Sequence, residues 1–141
     1  ICCVIFMIDV KKISYRIKIT EIFYDGFRGV IPNHKIFFNN NTIKDNKYLQ
    51  KSLFAKNDII RITLEYCNQI KQDIIKKNDI EFCIAVFQTA VNGIYTKEIK
   101  EGEEPKKGSL FYQSRGMITS PALKNNPFEQ GDIIKVTLKK I

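Results

Sequence analysis

The clearest pattern along the chain is alternation. Ile13, Tyr15, Ile17 and Ile19 are separated by Ser14, Arg16, Lys18 and Thr20, so an extended segment here has one apolar and one wet face. Ile60, Ile62 and Leu64 alternate with Arg61, Thr63 and Glu65, and Ile134, Val136 and Leu138 alternate with Lys135, Thr137 and Lys139. In a fourth segment Ile80, Phe82, Ile84 and Val86 are backed by Glu81, Cys83, Ala85 and Phe87. That second face is nearly uncharged, which predicts a central strand covered on both sides. β-Branched Ile dominates all four, as suits a packed, pleated surface. Helix signals are weak. A helix over 46–54 would bury Leu49, Leu53 and Phe54, and one over 68–77 would align Ile70 and Ile74. Each is too short to stand alone, and the second reads equally as a hairpin turning near Asn68-Gln69. Gly102, Pro105, Gly108 and the charged stretch 97–107 mark a long exposed loop. The expected fold is all-β: an antiparallel β-sandwich of jelly-roll type in a single domain over 1–141, with one or two short helical turns.

Two segments read alike. Phe54-Ala55-Lys56-Asn57-Asp58-Ile59-Ile60 and Phe128-Glu129-Gln130-Gly131-Asp132-Ile133-Ile134 each run from an aromatic through a tight turn into an alternating strand. Asn and Gly are the residues that tolerate the positive φ such a turn needs. A second pair sets Phe23-Tyr24-Asp25-Gly26-Phe27-Arg28-Gly29 beside Phe111-Tyr112-Gln113-Ser114-Arg115-Gly116. Internal duplication with halves 10–66 and 79–141 accounts for both pairs, and so does convergence on common turn chemistry.

On these residues the chain resembles a SPRY domain. Phe54, Asn57, Asp58, Ile59 and Ile60 are similar to that family's aromatic-Gly-Asp-Val/Ile step, with Asn57 in the glycine's place. Lys77, Asn78 and Asp79 are similar to its later Lys-Asn-Gly turn, and Phe128, Gly131, Asp132, Ile133 and Ile134 repeat the first step. The resemblance covers about half the chain and implies a bent, SPRY-like β-sandwich acting as a protein-interaction module. The chain has no tryptophan, which many members of that family carry.

Composition changes this picture little. Of 141 residues, 24 are Ile, 19 Lys and 11 Asn, types whose codons are rich in adenine and thymine. The net charge of +8 admits an anionic partner, yet the bias of an AT-rich genome produces the same excess, and no block of five like charges occurs. Ile1 to Ile8 is an apolar run too short to span a bilayer. It reads as a buried strand in preference to the tail of a signal segment. The non-Met start suggests a fragment. Asn40-Asn41-Thr42 is a glycosylation sequon that matters only in a secreted or surface chain, and the Cys2-Cys3 doublet favours an intracellular, cytoplasmic location.

Catalytic and metal chemistry find little support. The cysteines at 2, 3, 67 and 83 lack chelating spacing, and Cys67 and Cys83 read as small buried hydrophobes or as a disulfide pair. His34 is the only histidine and follows Pro32-Asn33 in a polar loop, so no nucleophile–base pair stands out. No phosphate-cradling glycine motif occurs. The expectation is a non-enzymatic binding module without cofactor or metal. Tyr24, Phe27 and Arg28 in one turn and Tyr112 and Arg115 in another are the candidate contacts, because Tyr and Arg bury large areas with directional polar ends. A protein or peptide is the first partner class. Nucleic acid or another polyanion is the second, and membership of a larger surface or structural protein is the third.

Overall fold

The computed structural model describes residues 11–32, 41–44, 49, 53–67, 73–98 and 116–141. Nine strands occur among them: β1 (Lys12–Phe23), β2 (Gly26–Val30), β3 (Asn41–Lys44), β4 (Ile59–Cys67), β5 (Ile74–Lys76), β6 (Asp79–Ala90), β7 (Gly93–Glu98), β8 (Gly116–Thr119) and β9 (Ile133–Lys140). Every pairing is antiparallel, in the order β6-β7-β8-β3-β2-β1-β4-β9, and β9 returns to β6. Eight strands therefore close into a barrel, with β5 appended to one edge of β6.

The expected sandwich, jelly-roll or SPRY-like, is thereby corrected. Alternation states which side chains face inward, and a sandwich and a barrel ask the same of it. The pairing of β6 with β9, from Asp79↔Lys139 to Ala85↔Ile133, removes the open edges a sandwich would keep. Eight strands leave an interior just wide enough for side chains to fill. Ile17, Ile19, Ile60, Ile62, Leu64, Ile80, Ile134, Val136 and Leu138 fill it and are fully buried, each worth about 1.5–3 kcal/mol relative to exposure. Leu49 and Phe54, between β3 and β4 in sequence, and Leu123 and Phe128, between β8 and β9, add to this core.

Register repeats through the molecule. Phe23↔Gly26, Ile22↔Phe27 and Glu21↔Arg28 in β1–β2 recur 67 residues later as Ala90↔Gly93, Thr89↔Ile94 and Gln88↔Tyr95 in β6–β7. Both hairpins then carry a bulge, at Thr20 and at Phe87. β1–β4 and β6–β9 repeat in the same way. The two sets meet at Thr63↔Thr137 between β4 and β9 and at Ile43↔Ile118 between β3 and β8. Strand pairing thus has a pseudo-twofold axis through those two contacts. Its partner for 23–29 is 90–96, and not the segment 111–116 singled out by sequence, of which 111–115 lies outside the described residues.

Other expectations meet mixed outcomes. Of the helix expected over 68–77, residues 73–77 are described, and there Ile74–Lys76 form β5, which turns into β6 at Lys77-Asn78; Asn68 and Gln69, the alternative turn, lie outside the described residues. From 46–54 only Leu49, Leu53 and Phe54 are described, and Leu49 and Phe54 are buried. A 3-10 turn at Pro121–Leu123 is capped by Ser120, whose Oγ accepts the Ala122 N–H at 3.1 Å. The second face of β6 is covered, with Cys83, Ala85 and Phe87 all buried. Cys67 and Cys83 are free thiols. Lys97 and Glu98 of the expected 97–107 loop belong instead to β7; the remainder lies outside the described residues, as do Ile1 to Ile8, His34 and the sequon's Asn40.

Candidate functional site

Of the five contact residues chosen from sequence, three are described, all in the β1–β2 hairpin. Tyr24 sits at its tip, 80% exposed. Phe27 turns the other way. It is 2% exposed and packs edge-on against Phe54, with ring centroids 6.1 Å apart, so it is a core residue unavailable to a partner. Arg28 is on the surface but engaged: its guanidinium reaches Glu21 at 3.5 Å and lies 5.4 Å from the centre of the Phe23 ring. Lys44 approaches the same ring at 5.7 Å. Tyr112 and Arg115 lie outside the described residues.

The outer wall formed by β1, β4, β9 and β6 holds an arrangement that single segments do not reveal. Register aligns its outward side chains in rows across the strands. One row is Lys12, Glu65, Lys135 and Cys83; the next is Ser14, Thr63, Thr137 and Glu81; the third is Arg16, Arg61, Lys139 and Asp79. The two lysines of the first row are paired, with Glu81 of the second row taking part. Lys135 Nζ lies 3.5 Å from Glu65 and 3.3 Å from Glu81, and Lys12 lies 3.9 Å from Glu65. Partial burial works against the Lys135 ammonium, but hydrogen bonds and charge from Glu81 and then Glu65 outweigh it and raise its pKa.

The third row is different. Arg16, Arg61 and Lys139 are exposed and stand directly opposite one another on three adjacent strands. No ion pair among the described residues involves any of the three; the wall's ion pairs belong to the first row and to the strand ends, where Lys140 meets Asp58 at 3.4 Å and Lys11 meets Asp132 at 3.1 Å. Lys18, also exposed, extends the positive surface along β1. The pseudo-twofold axis maps the third row onto the first. The same backbone position thus carries Arg61 in one half and the neutralised Lys135 in the other, so the barrel does not require bare cations there.

Sequence reasoning placed Arg16, Arg61 and Lys139 on wet faces and went no further. Their nearest approach in the chain is 45 residues (Arg16 to Arg61), so only strand register shows that they adjoin. No known protein family, curated protein or solved structure matches this chain. The likeness to the SPRY family therefore rests on its turn residues alone. Among the described residues no group of three His, Cys, Asp or Glu side chains could hold a metal ion, and no helix is long and apolar enough to cross a membrane.

Proposed function

We propose that this protein is a non-enzymatic binding module whose outer wall over β1, β4 and β9 holds a polyanionic partner. The observation that carries this reading is the row Arg16–Arg61–Lys139, three adjoining cations that make no ion pair among the described residues and whose one facing acid, Asp79, stands opposite Lys139 at the end of the row. Like charges directly opposite each other on neighbouring strands are destabilising, on the scale of about 0.2–1 kcal/mol per pair. The fold neutralises the equivalent lysine, Lys135, with Glu65 and Glu81, whereas Arg16 and Arg61 face no acid across β1, β4 and β9 and gain nothing structural from standing opposite each other. An anionic ligand relieves that repulsion on binding and releases its own counterions. The hydroxyls of Ser14, Thr63 and Thr137 form the adjoining row; Ser14 and Thr63 bond each other at 3.3 Å, which leaves two neutral hydrogen-bond donors.

The test is retention on immobilised heparin. Arg16→Ser with Arg61→Thr and Lys139→Thr should elute at clearly lower salt than the parent. Lys56→Ser with Lys77→Ser and Lys124→Ser, which removes the same charge elsewhere on the surface, should elute close to the parent. The row variant should also unfold in urea at the same or a higher midpoint, since two like-charge contacts are gone against one opposite-charge contact, that of Lys139 with Asp79. Equal elution of the two triple variants would refute the assignment.

A further inference from the structure

Resting on the polyanion reading, we infer that the ligand of the Arg16–Arg61–Lys139 row is a single-stranded nucleic acid held by its phosphodiester backbone without base readout. Curvature selects a flexible polyanion. Eight strands share one full turn of the barrel, so neighbouring strands differ in outward direction by roughly 45° and the three cations fan over about 90°. A planar membrane or a straight duplex meets such a wall tangentially and engages one cation well, whereas a flexible strand bends across it and engages all three. The fan also widens the separation of the charged heads beyond the ~4.8 Å between strands, toward the repeat of an extended phosphodiester chain.

The side chains agree with phosphate as the group recognised. Two of the three cations are arginines, whose forked guanidinium pairs with phosphate oxygens through two parallel hydrogen bonds. Beside them the row of Ser14, Thr63 and Thr137 offers hydroxyls of the kind that complete phosphate contacts. The outward positions of these rows on β1, β4 and β9 hold no aromatic side chain: they are Lys12, Ser14, Arg16, Arg61, Thr63, Glu65, Lys135, Thr137 and Lys139. Base stacking needs an aromatic platform, so the bases face away and every sequence binds alike.

The experiment is fluorescence anisotropy of the whole chain with labelled oligo-dT and oligo-dA of about 12 nucleotides, a duplex of equal length, and heparin and polyglutamate as competitors. Three phosphates at about 0.7 each predict a log–log salt slope near −2, hence an affinity loss of about 16-fold for a fourfold rise in salt. Oligo-dT and oligo-dA should bind within about twofold of each other, and both should bind more tightly than the duplex. The variant Arg16→Ser/Arg61→Thr/Lys139→Thr should lose at least tenfold in affinity and most of the slope. Arg16→Lys/Arg61→Lys keeps the charge and should retain the slope with weaker binding. Tighter binding of the duplex, or a strong preference between dT and dA, overturns the inference. Heparin or polyglutamate bound through the row while single strands are not would also overturn it, yet leave the polyanion reading standing. Failure of every polyanion to bind removes both.

Discussion

At the scale of single residues, Tyr15 is the outlier. It sits among aliphatic side chains at 8% exposure, and its Oη is buried without a well-aligned hydrogen bond. Ser120 Oγ, the polar group that acts on it, donates to Asn41 Oδ1 at 2.6 Å and accepts from the Ala122 N–H at 3.1 Å. Burial raises the Tyr15 pKa, and Ser120 offsets this only in part. The sign follows directly. An unfolded tyrosine loses its proton near pH 10, whereas the folded one holds it to higher pH, so above pH ~10 the native state binds more protons and stability falls as pH rises. Lys11 and Lys135, with pKa values also raised in the fold, add to the loss in the same window. Tyr15→Phe should therefore flatten the alkaline decline in urea midpoint without abolishing it. At pH 7 it should be neutral or stabilising by up to about 1 kcal/mol, because an unsatisfied hydroxyl is removed. A clear loss of stability at neutral pH would show that Oη has a partner. Alternation marks Tyr15 as inward; its buried hydroxyl is a consequence of what surrounds it.

At the scale of elements, the turns leading into β4 and β9 were legible. Asn57 and Gly131 take φ of 77° and 92°, and their N–H groups donate to Ile19 O and Val86 O at 2.8 Å. Asp58 and Asp132 each accept a backbone N–H three residues earlier, from Ala55 and Glu129, at 2.9 Å. Gly131→Ala should cost roughly 1–2 kcal/mol in urea unfolding, the penalty of a Cβ in left-handed backbone. Gly131→Asn should cost less, since Asn57 already occupies the equivalent position. The shorter strands were not legible. β2 reads as a turn in sequence because Gly26 and Gly29 interrupt it, yet both glycines are there for close approach. A Cβ on Gly26 would collide with the backbone oxygen of Ile43, and one on Gly29 with that of Lys18. That requirement is set by the neighbouring strands, and no local pattern encodes it.

At the scale of the whole molecule, strand pairing among the described residues joins the two sets only along β3–β8 and β4–β9. Residues 11–67 alone would leave the edges of β3 and β4 unpaired, and edges of that kind associate or stay unfolded. That fragment should appear in light scattering and circular dichroism as a dimer across the same two seams or as an unfolded chain. A folded monomer would contradict the closed barrel. The inward and outward faces of β1, β4, β6 and β9 followed from the residues themselves, because the side-chain period of a strand is a local property of the backbone. So did the turn chemistry at Asn57 and Gly131. Closure, register and the cation row were decided by long-range pairing, which the period of two cannot specify: the same alternation satisfies a sandwich and a barrel. Arg16, Arg61 and Lys139 become one surface only when β4 lies between β1 and β9.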